Sequence, residues 1–225
     1  MSATDLYVVS TPIGNLKDIT LRALEILRDV DYIACEDTRV TLKLLNRYDI
    51  KKPLISFHSK SKPEILNRIR RIIAEGQSVA YVTDSGTPLV SDPGGILVRS
   101  IVEDGGEVVP IPGPSAVHAA LVASGMQFSE YTFIGFTSNK SARRRKKFAG
   151  LAGSVFVFYE SPHRIIGFLI DVYEVLGDIP CAVSREITKK FETHYRGRVS
   201  EVSQRIEKEG PRGEYTVILD TRKQE

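Results

Sequence analysis

Tryptophan is absent from the 225 residues, and cysteine occurs twice, at Cys35 and Cys181. The two thiols lie far apart, each inside an apolar run, and no C-x-x-C pair occurs. That spacing excludes a sequence-local zinc or redox site, and buried free thiols are the expectation. No apolar run reaches the roughly 18 residues that a membrane span requires. Residues Met1 to Asp5 lack a basic segment leading into an apolar one, so no secretory signal is read, and a cytoplasmic protein away from membranes is expected. No G-x-x-x-x-G-K-[ST] motif occurs, and no G-x-G-x-x-G follows the first strand. Phosphate-loop and standard dinucleotide sites are thereby excluded. Without tryptophan or the aromatic signature of an RNA-recognition motif, base stacking is not an evident binding mode. His58, His118 and His194 show no metal-ligand spacing, so no metal is expected and no role is assigned to them.

What is present is an ordinary globular composition, 42% hydrophobic and 26% charged. The net charge is only +3, but it is unevenly spread: residues 1–120 carry −1 and residues 121–225 carry +4. Six cations, Lys140, Arg143, Arg144, Arg145, Lys146 and Lys147, crowd one stretch that holds no acid. A solvated helix face is one reading. An anion-binding patch is the other, because six neighbouring cations repel one another unless an anion relieves them, and an RNA backbone does so in a salt-dependent way.

The pattern along the chain alternates strand and helix. Apolar β-branched runs at 6–10, 32–35, 54–57, 78–83 and 107–111 read as strands. Helical periods at 19–30, 40–48, 63–74 and 96–103 lie between them. This βα repetition predicts a parallel sheet covered on both faces. Pro110-Ile-Pro-Gly-Pro114 then breaks the pattern as an interdomain turn. A helix over 115–124 follows, with Ser115 as its cap. Strands over 131–136 and 154–159, helices over 141–152 and 165–176, and a strand over 181–184 come next. Strands over 192–196 and 215–219, flanking a helix over 199–208, complete a second sheet that is expected to be mixed. The expected architecture is two α/β domains, 1–113 with a parallel sheet and 114–225 with a mixed one, and a ligand cleft between them.

Ligands of open α/β sheets bind at loops beyond the strand C-termini. Five such loops are dense in polar residues, Gly and Pro: Ser10 to Asn15, Glu36 to Arg39, Thr83 to Pro88, Pro112 to Ser115 and Glu160 to Arg164. Turn chemistry alone enriches the same residue types. All five at strand ends point to a shared ligand site. A nucleotide-like ligand without phosphates fits what is missing, and S-adenosylmethionine is one such molecule.

The strings Thr11-Pro-Ile-Gly-Asn15, Glu36-Asp-Thr-Arg39, Asp84 to Gly94, Pro112-Gly-Pro-Ser-Ala116, Tyr159-Glu-Ser-Pro-His-Arg164 and Ser184 to Lys189 resemble the tetrapyrrole methylase superfamily. Within it they resemble the branch that methylates small-subunit ribosomal RNA. The likeness runs over about residues 6 to 220, in the family's order. It implies a tetrapyrrole methylase-like fold, S-adenosylmethionine as cofactor, a homodimer, and 2'-O-methylation of a cytidine ribose in the decoding region of 16S rRNA. The partner is then the rRNA or the assembled small subunit. By the same matching Pro12, Asp84, Thr87, Val90, Ser115, Ala116, Tyr159 and Ala182 line the cofactor. The family's Gly-Asp-Pro loop stands here as Gly86-Thr87-Pro88, with an acid only at Asp84, three residues before Thr87.

Methylating a ribose hydroxyl calls for a proton acceptor. The candidates are Glu36, Asp37, Glu160, His163 and Glu186, with Glu36 or Glu186 taking the proton. Arg39, His163, Arg164 and Lys189 are assigned to RNA, together with Arg143, Arg144, Arg145, Lys146 and Lys147. Each has a structural alternative. Asp84 and Asp92 suit Asx turns and helix capping, Glu36, Asp37 and Arg39 a local ion pair at a helix start, Glu160 a helix cap, and Arg164 a pairing with Glu160. Two other functions compete: methylation of a small tetrapyrrole or corrin, and non-catalytic RNA binding in ribosome assembly.

Overall fold

The computed structural model describes residues 6–89 and 94–222, which fall into two compact units dividing between Ser115 and Ala116. The first unit opens with β1 (Leu6–Val9), α1 (Leu21–Asp29), β2 (Tyr32–Cys35) and α2 (Thr38–Arg47). It continues through β3 (Leu54–Ser56), α3 (Pro63–Ala74), β4 (Val79–Val82), α4 (Gly95–Glu103) and β5 (Val108–Ile111). All five strands run parallel in the order β3-β2-β4-β1-β5. Right-handed crossovers dictate the layering. The connections from β1 to β2 and from β2 to β3 step one way along the sheet, and those from β3 to β4 and from β4 to β5 step the other way.

Accordingly α1 and α2 pack on one face, where Leu24, Leu27, Leu44 and Leu45 meet Val9, Ile33 and Val82. On the other face Ile69, Ile72, Leu97 and Ile101 of α3 and α4 meet Leu6, Val8, Ala34 and Tyr81. Neighbouring residues of one strand thus serve opposite cores, which is the period of two read along a β-strand. Strands apolar on both sides, such as the fully buried Val79–Val82, mark a sheet covered twice.

The second unit starts with α5 (Ala116–Ala123), β6 (Tyr131–Phe136), α6 (Ser141–Phe148), β7 (Val155–Glu160) and α7 (Ile165–Leu176). It ends with β8 (Pro180–Arg185), β9 (Thr193–Arg198), α8 (Val199–Glu209) and β10 (Tyr215–Asp220). The strand order is β6-β7-β10-β8-β9, with β6 and β7 parallel and the other pairs antiparallel. The sheet is therefore mixed. One face carries Phe156, Phe158, Cys181, Val183, Tyr195, Val217 and Leu219 into a core with α6, α7 and α8. Alternate residues, among them Val157, Ala182, Ser184, Thr216 and Ile218, turn to the opposite face, and α5 lies against β10 and β8.

Both cysteines are buried free thiols, and burial raises each above its ordinary pKa. The helix expected over 141–152 stops at Phe148, where Gly150 follows and Gly153 takes a positive φ of 67°. No helix among the described residues is long and apolar enough to cross a membrane.

Gly94 begins α4 with φ at 117°. A Cβ there would lie 2.8 Å from Cζ of Tyr81, whose ring is fully buried. Gly94→Ala combines a left-handed backbone with overpacking and is expected to cost roughly 2–5 kcal/mol. The urea midpoint measures it, and an unchanged midpoint would contradict the packing described.

Candidate functional site

The reversal of strand order falls between β1 and β4, the place where an open α/β sheet leaves a crevice. There the Thr11 N–H donates to the Gly86 carbonyl at 2.9 Å, and the Gly86 N–H donates to the Thr11 carbonyl at 3.1 Å. Gly86 has φ at 83°, which glycine adopts without strain. The Thr11 hydroxyl donates to the Thr83 carbonyl at 3.1 Å. Ser10 Oγ donates to Thr87 Oγ1, and Thr87 Oγ1 donates to the Pro114 carbonyl, each at 3.2 Å. A Cβ on Gly113 would lie 2.9 Å from the Ser10 Cβ, so the loop after β5 approaches β1 through glycine alone. Three strand ends are thus laced together, and they bring Pro12, Thr87 and Ser115 onto adjacent loops. Val90 and Asp92 lie outside the described residues.

The loop after β2 joins the same cluster. The Asp37 N–H donates to Asp84 Oδ1 at 3.0 Å, and the Asp84 N–H donates to the Glu36 carboxylate. Burial, and then the charge of Asp84, raise Glu36 above the ordinary carboxylate range. Burial also raises Asp84, and the charge of Asp37 adds to it. Two partly buried acids that both resist ionisation form a site that favours a proton or a cationic ligand.

Asp37 itself is spoken for. It caps α2 through the Arg39 N–H and holds the Arg39 guanidinium, which brings it to about 2. It is an anion at working pH and a poor proton acceptor. Arg39 remains 86% exposed beyond that pair.

In the second unit, the other expected site acids stand in ion pairs. Glu160 is buried, and its Oε1 accepts from the Ser161 N–H and from Arg164 Nε, both at 2.7 Å. Arg164 also donates to the Thr137 carbonyl at 3.3 Å. Glu160 therefore anchors Arg164, the pairing that stood as the structural alternative to its role as a proton acceptor. Glu186 meets Lys189 at 3.0 Å and accepts from the Glu214 N–H at 3.0 Å. Burial pushes it upward, but these donors outweigh burial and leave it below the ordinary range. Lys189 is likewise held by Glu214 at 2.7 Å. Glu186 and Lys189 thus pin a loop through each other and Glu214. His163 is exposed at the start of α7.

The basic helix α6 is likewise not a uniform cationic face. Arg144 is buried and paired with Asp171 of α7, and it donates to the Ser138 and Gly167 carbonyls. Arg145 reaches Asp171 at 2.6 Å and Glu174 at 2.5 Å. Asp171 also accepts from Ser141 Oγ at 2.9 Å. Two of the expected RNA contacts therefore tie α6 to α7. Arg143, Lys146, Lys147 and Lys140 remain exposed.

Tyr159 and Ala182 share one face of the second sheet. The row through Tyr159 continues to Thr216, Ser184 and His194 on successive strands. Tyr159 packs edge-on against Phe133, with centroids 5.0 Å apart. Ser184 and His194 were not singled out in the sequence, because strand register alone brings them together. No group of three or more His, Cys, Asp or Glu poised for a metal occurs among the described residues.

Comparison with known proteins adds a separate line of observation. Residues 5–203 match the model of the tetrapyrrole (corrin/porphyrin) methylases. A Thermotoga maritima protein named ribosomal RNA small subunit methyltransferase I is 46% identical, over 95% of this chain and 97% of its own length. The protein of the same name from Bacillus subtilis is 41% identical, over 96% of this chain and 74% of its own. Among solved structures, a uroporphyrin-III C-methyltransferase from Thermus thermophilus, complexed with S-adenosylhomocysteine, superposes with a TM-score of 0.65 at 18% identity. It covers 96% of each chain. A cobalt precorrin-4 methyltransferase superposes at 0.68 with 16% identity, covering 96% of this chain and 94% of its own. Those two likenesses speak to the fold.

Removing one partner of a buried ion pair strands the other charge. Asp171→Ala leaves the buried Arg144 uncompensated and is expected to cost about 3–5 kcal/mol, read from chemical denaturation. Burial raises Asp171, but Arg145, Ser141 and Arg144 outweigh it and hold its pKa low. Its stabilisation is therefore full above the unfolded carboxylate value of about 3.9 and is lost as the pH falls through the lower folded one.

Proposed function

The chain belongs to the tetrapyrrole (corrin/porphyrin) methylase family, and from that premise we propose that it transfers a methyl group from S-adenosylmethionine to the 2'-hydroxyl of a cytidine in the decoding region of small-subunit rRNA. The observation that carries the chemistry is the raised pair Glu36 and Asp84 at the strand-order reversal. The substrate class follows the names of the relatives, whose similarity runs along nearly the whole chain.

The residues present suit such a cofactor. It is cationic at sulfur and at its amino group, and two acids that ionise reluctantly are eased by a cation nearby. Gly86 and Gly113 let the strand-end loops approach one another closely: a Cβ would meet Ile13 at 3.3 Å at the first and Ser10 at 2.9 Å at the second. Thr83 Oγ1 is buried beside this cluster without a hydrogen-bond partner. We assign Pro12, Asp84, Thr87, Val90, Ser115, Ala116, Tyr159 and Ala182 to the cofactor. When bound, the cofactor supplies an electrophilic methyl group.

The protein's own task is to place and deprotonate the hydroxyl. Glu36 is the proton acceptor in this reading. Its raised pKa brings it nearer to the operating range of a general base, and Asp37, Glu160 and Glu186 are each committed to a cation. Arg39, exposed beside it, and Arg164, fixed by Glu160, meet phosphates. The exposed Arg143, Lys146 and Lys147 add a sequence-independent grip on the RNA backbone.

The direct test is transfer of tritiated methyl from S-adenosylmethionine to small subunits lacking their native methylations, with nuclease mapping. Label on one cytidine ribose is the expected result. A chain that binds the cofactor but leaves RNA unlabelled would turn the assignment to a tetrapyrrole or corrin acceptor. Failure to bind the cofactor would favour non-catalytic RNA binding.

Glu36→Gln is expected to lower kcat by about 10²–10⁴-fold. Because the folded pKa is raised, ionising Glu36 costs stability as the pH rises through it, so the Gln variant should melt no lower at neutral pH. Wild-type activity should fall as the pH drops through a value above the ordinary glutamate pKa of about 4.3. A pH-rate profile and a melting curve test both parts. Replacing Arg143, Lys146 and Lys147 together by Ala should reduce the slope of log binding constant against log salt by roughly 2–3.

A further inference from the structure

Glu192, His194 and Ser184 form a continuous hydrogen-bond chain across the β8–β9 pair. Glu192 Oε1 lies 2.9 Å from His194 Nε2, and His194 Nδ1 lies 2.8 Å from Ser184 Oγ. The other Glu192 oxygen, Oε2, accepts from the Thr188 N–H at 2.9 Å. The intervening loop adopts left-handed backbone at two non-glycine positions, Glu186 with φ at 52° and Thr188 with φ at 66°. Such conformations persist only where the surrounding structure enforces them, and they concentrate at functional positions. Here the Thr188 turn delivers the N–H that orients Glu192.

With a neutral His194 ring the chain has one self-consistent proton order. An ionised carboxylate only accepts, so Nε2 carries the hydrogen of the neutral ring. Nδ1 is then an acceptor, and the Ser184 hydroxyl donates to it. The hydrogen of Ser184 is committed, and the remaining lone pair on Oγ can only accept. Ser184 is buried, and it stands on the sheet face of Ala182 and Tyr159, away from the apolar core that takes Cys181, Val183 and Tyr195.

We propose that Ser184, polarised by His194 and Glu192, is a specificity-determining acceptor for a hydrogen-bond donor of a nucleoside ligand, a ribose hydroxyl or an exocyclic amino group. The inference rests on the proposed reading that Tyr159 and Ala182 face such a ligand. It adds to that reading three residues with stated roles: Ser184 touches the ligand, and His194 and Glu192 act through it as positioning residues. The donor belongs either to the cofactor or to the methylated nucleotide, and the chemistry recognised is the same.

Ser184→Ala is the variant to make, with calorimetric binding of S-adenosylhomocysteine and the KM for small subunits as readouts. Loss of one hydrogen bond predicts about a tenfold effect. A tenfold weaker affinity for S-adenosylhomocysteine, absent with the 2'-deoxy, 3'-deoxy or N6-dimethyl analogue that lacks the matching donor, assigns the contact to the cofactor. Unchanged cofactor affinity with a tenfold higher KM for subunits at unchanged kcat assigns it to the acceptor nucleotide. Unchanged values of both, whatever the melting temperature, overturn the proposal and leave the chain as a strand clamp. A wild-type chain that binds neither ligand overturns this inference together with the reading beneath it. His194→Ala frees the hydroxyl to rotate rather than removing it, so a smaller loss in the same readout, about threefold, is expected. Should Ser184→Ala fail to fold, that variant and the analogue series on the wild type decide the question.

Discussion

The first unit depends on one short exchange of backbone hydrogen bonds, between Thr11 and Gly86. Right-handed crossovers send the chain in opposite directions after β1 and after β4, so the loops beyond these two paired strands diverge to opposite faces. The paired amides of Thr11 and Gly86 bridge these loops just beyond the strands. Everything that gives the loops their polarity follows from it. Thr83 supplies the carbonyl for the Thr11 hydroxyl, Thr87 sits within reach of Ser10 and Pro114, and Asp84 projects toward the β2 end. The glycines at 86 and 113 are required because a side chain would collide or strain at these approaches.

Much of this was legible in the residues, and the reasons are specific. Strands such as Val79–Val82 are apolar throughout, and helices such as Pro63–Ala74 repeat their buried residues at Ile69, Ile72 and Ile73. Both signals are local, so they survive without knowledge of the tertiary structure. The parallel first sheet follows from the βα alternation. The loops at the strand ends were legible as a set because polar, Gly and Pro residues recur at each.

What stayed hidden depends on partners distant in sequence. Arg144 and Arg145 read as part of an uninterrupted cationic run, yet Asp171, more than 25 residues on, neutralises both. Glu186 sits in a charged loop, and only the fold places Glu214 beside Lys189 and so makes the whole group a clasp at the surface. The Ser184–His194 contact arises from antiparallel register, which pairs residues ten apart only once the β8–β9 loop length is known. No spacing rule for metals or nucleophiles would have selected His194.

The distribution of neutralised charge gives the strongest argument about where chemistry occurs. Asp37, Glu160, Asp171, Glu186 and Asp220 each hold an arginine or lysine. Arg39, Asp104, Glu186 and Arg222 show the expected direction, each shifted toward its charged form by its partner. Glu36 and Asp84 depart from this rule. Burial raises both, and each draws its hydrogen bond from a backbone N–H rather than from a cation. Among the acids named here, these two stand apart in lacking a direct ion pair, and they lie at the crevice of the sheet, where perturbed groups of this kind suit a ligand that brings charge or a proton. The second sheet carries a hydroxyl, Ser184, held in a hydrogen-bond chain with His194 and Glu192.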